Sequence, residues 1–141
     1  KSMRPDKQLQ KARETMDILR RELALPAGEY RIDDRLRELT FGTWEGFTWR
    51  EVKERCAEGA AQREADKWSF TPPGGESYAA LSARVAPWLA GLSRSTIAAS
   101  HGGVARAVMH LVAGVEPNAA SIAEITQGRA ILFEPGRMRW M

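Results

Sequence analysis

The chain has 141 residues, the size of a single domain, and its 43% hydrophobic content is typical of a globular protein with a core. No apolar run approaches the roughly 18 residues that a membrane span needs. The single cysteine, Cys56, excludes an intramolecular disulfide, fits a reducing cytoplasm and is expected to pack in a helix. With two histidines and this cysteine, the sequence offers no zinc cage of nitrogen and sulfur ligands, and we expect neither a metal nor another cofactor.

The formal net charge of +3 is concentrated at one end of the chain. Residues 1–21 hold seven Lys and Arg against three acids, whereas the rest of the chain holds fourteen against fifteen. A basic segment can bind nucleic acid or another polyanion, or it can be the solvated face of a helix beside a phosphate pocket. Because residues 1–21 contain no aromatic side chain that could stack on a base, the composition argues against nucleic acid.

The first half of the chain predicts three helices and one structured loop. A helix begins at Pro5-Asp6, with Asp6 as N-cap, and ends at residues 25–28. Residues 30–32 could form a short strand, and residues 33–50 lack any period, which suits a loop lining a cleft. The apolar stripe of the first helix is Leu9, Ala12, Met16, Leu19 and Leu23.

A capping box, Thr48-x-x-Glu51, opens the second helix. Its apolar side is Trp49, Val52 and Cys56. A more polar helical piece follows at residues 57–69, and Thr71-Pro-Pro-Gly-Gly75 is a turn cluster.

The second half of the chain alternates helices and strands. A helical stripe runs from Tyr78 to Leu92, N-capped by Ser77, and Pro87 is expected to kink or split it. Residues 96–99 predict a buried strand, followed by a helix that stops at Gly114. A short helix from Pro117 to about Ile122 and a hairpin over residues 130–141 complete the chain. We therefore expect one α/β domain over residues 1–141, with helices on a mostly parallel sheet and an antiparallel hairpin at its C-terminal edge.

His101 is the leading candidate for a functional residue. It follows the predicted strand and precedes Gly102-Gly103, so it lies where open α/β sheets bind ligands. The amides that begin the next helix, including that of Gly102, favour an anion. Spacing alone is equally consistent with a functional and a structural role for His101. His110 lies inside the helix and is expected to be structural.

Two further charged residues are weaker candidates. Glu38 lies in the irregular loop and is either a surface charge or, if it enters a cleft with His101, a general acid. Lys11 lies on the first helix, where most cations are simply solvated.

Three blocks together resemble the histidine phosphatase superfamily, which has the phosphoglycerate mutase-like fold. They are Leu36-Arg-Glu-Leu-Thr-Phe-Gly-Thr-Trp-Glu-Gly46, Pro72-Pro-Gly-Gly-Glu-Ser77 and Ser100-His-Gly-Gly-Val-Ala-Arg106, and Lys11-Ala-Arg-Glu-Thr15 is similar to a family helix. The resemblance implies that His101 holds the transferring phosphoryl group and that Glu38 protonates the leaving oxygen. Lys11 would occupy the position of a phosphate-binding arginine in the family. It would carry the same charge but lack the planar guanidinium that binds two phosphate oxygens at once. The substrate would be a small phosphorylated metabolite.

The chain departs from the family in one respect: it contains no Arg-His-Gly motif, which in the family supplies the nucleophilic histidine. The resemblance then implies a domain whose N-terminal strands are missing, and a chain that is inactive alone. The strand at 96–99 would have a bare edge, which a second copy of the chain could cover. The alternative is a non-catalytic anion-binding or scaffold homologue. Phe41, where phosphoglycerate mutases have tyrosine, favours hydrolysis over mutase action.

Overall fold

The structure is a computed structural model that describes residues 5–141, with side chains from Lys7 onward. Within that range the backbone forms six α-helices, two short 3-10 turns and one two-stranded sheet. The helices and strands are α1 (Pro5–Glu22), α2 (Trp49–Arg55), α3 (Ala57–Ala65), α4 (Tyr78–Ala90), α5 (Gly102–Ala113), α6 (Pro117–Ile122), β1 (Ile131–Glu134) and β2 (Arg137–Trp140).

Helix α5 is the centre of the main core and packs against α4, α6 and the strand pair. Its apolar residues recur at helical spacing, so one continuous face is removed from water. The helix ends as predicted at Gly114, whose φ of 72° lies in the left-handed region that glycine adopts without strain. The buried residues of this core are Leu39, Trp68, Tyr78, Leu81, Val85, Val104, Ala107, Val108, Met109 and Ala120.

The C-terminal hairpin forms as the sequence predicts. Strands β1 and β2 pair antiparallel, with Ile131 opposite Trp140 and Glu134 opposite Arg137. The turn is anchored to α5, because the Gly136 amide donates to the Val112 carbonyl at 2.9 Å. One face of the hairpin therefore closes one side of the core.

A second, smaller core lies between α2 and α3. It is built from Trp44, Val52 and Ala60, and the Trp44 ring stacks on Phe70 with centroids 5.4 Å apart. The predicted capping box is present at the start of α2. The prediction for Cys56 is wrong: the helix ends there, and the cysteine is exposed and free.

Two predicted strands are absent from residues 5–141. Residues 30–32 and 96–99 are irregular, and Ile97 is 62% exposed. A strand needs a hydrogen-bonding neighbour, and no part of the described chain pairs with either segment. The described residues therefore form only the antiparallel pair, and not the mostly parallel sheet that we expected.

The two long amphipathic helices also differ from expectation in detail. Pro5 is already helical, so Asp6 lies inside α1 and is not its N-cap. Of the predicted apolar stripe, Leu9, Ala12 and Met16 line an open cleft, and Leu9 and Leu23 are exposed. Pro87 does not split α4, which continues to Ala90. In the described part of the chain, no helix is long and apolar enough to cross a bilayer.

Candidate functional site

A large open cleft of about 1280 Å³ contains both leading candidates. One wall is the apolar face of α1, and the others are residues 29–40 and the segment that joins α4 to α5. Glu38 and His101 both line it, and the charge of Glu38 acts on the imidazole of His101. The two side chains that the sequence singled out separately therefore share one site.

The carboxylate of Glu38 is held at the N-terminus of α5. Both of its oxygens lie 3.1 Å from the Gly103 amide, and Oε1 also accepts from the Leu39 amide at 2.9 Å. The partial positive charge at a helix N-terminus stabilises a carboxylate. Because the neighbouring Leu39 is buried in the main core, the backbone at Glu38 is fixed while its side chain faces the cleft.

The surroundings of Gly103 explain why the second residue after His101 is a glycine. A Cβ at position 103 would collide with Oε1 of Glu38, whereas a Cβ at Gly102 would meet its nearest atom at 3.6 Å. The sequence predicted that amides at this helix start would bind an external anion. The structure corrects this for Gly103, whose amide is bound to Glu38, and leaves Gly102 as the first residue of α5 beside His101.

His101 immediately precedes α5 and is half-buried. Its pKa lies below the ordinary value of 6.5, because burial disfavours the charged imidazolium. The carboxylate of Glu38 opposes this shift, and the guanidinium of Arg84 adds to it. The neutral imidazole is therefore the dominant form at neutral pH, and an anion bound beside it would stabilise the protonated form.

Arg84 and Ser100 fix the loop that carries Glu38, and neither role was predicted from the sequence. Arg84 forms a two-pronged ion pair with Glu76, at 2.7 and 2.9 Å. Its other nitrogen–hydrogen groups donate to the backbone carbonyls of Arg35 and Arg37, at 2.6 and 2.8 Å. Both side chains of the ion pair are only 18% exposed. We refer to Arg84 and Glu76, with the loop carbonyls they hold, as the Arg84 clamp.

Ser100 joins the other candidate to the same loop, since its hydroxyl donates to the Leu36 carbonyl at 2.7 Å. This hydrogen bond joins Ser100, which precedes His101, to Leu36, which lies two residues before Glu38. No periodicity marks these contacts in the sequence, although both residues lie in or near the blocks that carry the resemblance.

Lys11 does not line the cleft with Glu38 and His101. Its side chain is exposed on α1, and the cations of this helix that border the cleft are Arg13 and Arg20. The structure therefore brings together three of the four residues chosen from the sequence and leaves Lys11 apart from them.

Comparison with known proteins identifies the family of the chain. The family model described as histidine phosphatase superfamily (branch 1) matches residues 8–141. The chain belongs to the histidine phosphatase superfamily. The fold is α/β and phosphoglycerate mutase-like, and the resemblance on which the site residues were chosen is confirmed.

Relatives within the histidine phosphatase superfamily are longer than this chain. A bifunctional protein of Mycobacterium tuberculosis is 44% identical over 70 residues, which are 50% of this chain and 18% of that protein. A 2,3-bisphosphoglycerate-dependent phosphoglycerate mutase of Beijerinckia indica is 24% identical over 132 residues, which cover 89% of this chain and 64% of the mutase. The crystal structure of the α-ribazole phosphatase from Shigella flexneri superposes with a TM-score of 0.72 at 25% identity, covering 92% of this chain and 66% of that one.

Proposed function

We propose that the protein containing this chain removes phosphate from a small phosphorylated metabolite through a phosphohistidine, without a metal ion. The observation that carries the proposal is the shared cleft, in which the carboxylate of Glu38 is fixed on the Gly103 amide two residues after His101. Family membership supports the reaction class.

The proposed reaction has two steps. A histidine nitrogen attacks phosphorus, the ester P–O bond breaks, and Glu38 gives its proton to the leaving alcohol oxygen. Water then attacks phosphorus, the P–N bond breaks, Glu38 takes the water proton, and inorganic phosphate leaves. In both steps His101 and the Gly102 amide would stabilise the negative oxygens of the transferring group.

Neither of the two histidines in these 141 residues is suited to act as the nucleophile. His101 would hold the phosphoryl group, and His110 is engaged elsewhere, with Nδ1 2.8 Å from the Val115 carbonyl and its ring edge-on to Trp68. We therefore propose that the nucleophile comes from outside these 141 residues and that this chain alone is inactive. A strand from the same source, or from a second copy of the chain, would pair with residues 96–99 and extend the sheet.

The side chain at position 41, a phenylalanine, favours hydrolysis over mutase action. The Phe41 ring lies under the guanidinium of Arg63, 5.5 Å from its centroid, and it has no hydroxyl with which to bind a phosphorylated intermediate. Water is then the simpler acceptor for the phosphoryl group.

A second candidate function follows from the histidine count. The 141 residues contain two histidines, and neither is suited to attack phosphorus. The alternative is therefore a non-catalytic protein that binds anions in the cleft, as a monomer or a dimer. It predicts phosphate binding without any covalent phosphohistidine.

Hydrolysis of p-nitrophenyl phosphate by the full-length protein, with detection of phosphohistidine after an alkaline quench that preserves the acid-labile P–N bond, distinguishes the two functions. We expect Glu38→Gln to lower kcat by about 10²–10⁴-fold, the usual contribution of a positioned general acid. Asp34→Asn, an exposed carboxylate on the same loop, is the matched control and should retain the rate. An unchanged rate in Glu38→Gln would refute its role, and turnover by the 141-residue chain would refute its inactivity.

A further inference from the structure

The segment that joins α4 to His101 has very few hydrogen bonds. Residues 93–100 are irregular, and those from 93 to 98 are exposed. Within residues 5–141, one hydrogen bond of this segment is internal, from the Thr96 hydroxyl to the Arg94 carbonyl, and the other leaves it. The second is that of Ser100, whose Oγ donates to the Leu36 carbonyl at 2.7 Å. Ser100 therefore fixes the chain immediately before His101.

Two side chains from outside the loop hold the backbone that leads to Glu38. The carbonyls on either side of Leu36 accept from Arg84, at 2.6 and 2.8 Å, and the Leu36 carbonyl itself accepts from Ser100. Arg84 connects this backbone to α4, whereas Ser100 connects it to the residue next to His101. The Ser100 hydrogen bond thus joins the backbones beside the two candidate catalytic residues.

A second connection between the loop and α5 is made by the Glu38 carboxylate, which accepts from the Gly103 amide at 3.1 Å. This connection depends on charge, because a carboxylate accepts a stronger hydrogen bond than a carboxylic acid does. In the first step of the proposed reaction Glu38 is protonated and turns its proton toward the leaving oxygen, so its bond to the amide weakens. The hydroxyl of Ser100 and the carbonyl of Leu36 do not titrate, and their hydrogen bond persists through that step.

We propose that Ser100 is a positioning residue that keeps Glu38 beside His101 while Glu38 is protonated. The inference rests on the proposed function for the role of Glu38 as the acid. Ser100 acts through Glu38, since a general acid must stay within hydrogen-bond reach of the oxygen that it protonates. The effect of losing the Ser100 hydroxyl should therefore grow with the leaving oxygen's need for a proton.

Two esters of similar size distinguish a displaced acid from a general loss of activity. p-Nitrophenol leaves readily as its anion, whereas the alcohol of benzyl phosphate leaves poorly without a proton. In the full-length protein, we expect Ser100→Ala to lower kcat/KM for benzyl phosphate by about ten- to hundredfold, the range for a misplaced catalytic group. The value for p-nitrophenyl phosphate should fall much less.

Ser121→Ala is the matched control. The Ser121 hydroxyl also donates to a backbone carbonyl, that of Asn118 at 2.8 Å, and it is fully buried, but it lies in α6 and away from the cleft. Its loss should leave the ratio of kcat/KM for the two esters unchanged.

A double-mutant cycle shows whether Ser100 acts through Glu38. In the Glu38→Gln background, Ser100→Ala should lower kcat/KM for benzyl phosphate little further, because the acid that it positions is already absent. Equal losses with both esters, an unchanged value for benzyl phosphate, or a full additional loss in the Glu38→Gln background overturns the positioning role of Ser100.

A measurement without turnover separates this inference from the proposed function. If the full-length protein hydrolyses neither ester, the proposed function fails, and NMR of the Leu36 amide still tests the role of Ser100. As Glu38 is titrated to its acid form, that amide should keep its chemical shift in the wild-type chain and in Ser121→Ala, and should move in Ser100→Ala. The same response in all three proteins overturns the inference.

Discussion

Among single residues, the proposed chemistry depends most on how Glu38 is held. A free surface carboxylate would sample many rotamers, whereas this one accepts two backbone hydrogen bonds at a helix start. The space it occupies exists only because position 103 has no Cβ. A glycine that is neither in a turn nor at positive φ is thereby explained by the position of the Glu38 side chain.

The two glycines provide a matched pair of substitutions. Gly103→Ala should displace the Glu38 carboxylate and lower turnover of a phosphomonoester by about 10²-fold or more, as loss of a positioned acid does. Gly102→Ala keeps its amide and meets only ordinary contacts, so it should retain most of the rate. Steady-state kinetics of the two variants measures the difference, and equal rates would show that Glu38 does not need its present place.

At the scale of elements, the Arg84 clamp connects α4 to the loop that carries Glu38. One guanidinium pairs with Glu76 and also donates to two backbone carbonyls of the loop. The Glu76 amide in turn donates to the Thr40 carbonyl at 2.9 Å. Two of the sequence blocks that resemble the family are thus one structural unit.

Replacing the clamp residue should cost far more than replacing a surface arginine. Arg84→Met leaves a largely buried carboxylate unpaired, and we expect it to lower the free energy of unfolding by about 3 kcal/mol. Arg50→Met breaks an ion pair with Glu54 in which the arginine is 87% exposed, and should cost less than about 1 kcal/mol. Urea denaturation measures both, and comparable costs would mean that the clamp is not structural.

Local sequence signals predicted the elements whose stability is local. The capping box at Thr48, the glycine stop at Gly114 and the hairpin turn at Pro135-Gly136 formed where expected, because each needs only neighbouring residues. The segments 30–32 and 96–99 have strand-like composition, but a strand also needs a partner in space. Composition cannot supply that partner, so these predictions failed.

The candidate site was predicted in part for the same reason. His101 and Glu38 lie in recognisable blocks, and the structure places both in one cleft. Arg84 acts through contacts between distant segments, such as its hydrogen bond to the Arg35 carbonyl, and no spacing encodes such contacts. Lys11 was chosen by resemblance alone, and the direction in which a helix presents one cation depends on its packing.

In the molecule as a whole, the start of α5 lies between the main core and the cleft. The large cleft, with α1 as one wall, contains both Glu38 and His101. The folded core supports this arrangement because α5 is held by α4, α6 and the hairpin. Family membership and the position of Glu38 and His101 in one cleft both support the proposed phosphatase function.

An NMR pH titration of the His101 imidazole tests directly whether Glu38 and His101 form one site. Burial should hold its midpoint below 6.5, and inorganic phosphate should raise it, since an anion stabilises imidazolium. Because the charge of Glu38 raises this pKa, Glu38→Gln should lower the midpoint further, whereas Asp34→Asn should leave it unchanged. A midpoint that does not move in Glu38→Gln would contradict the account.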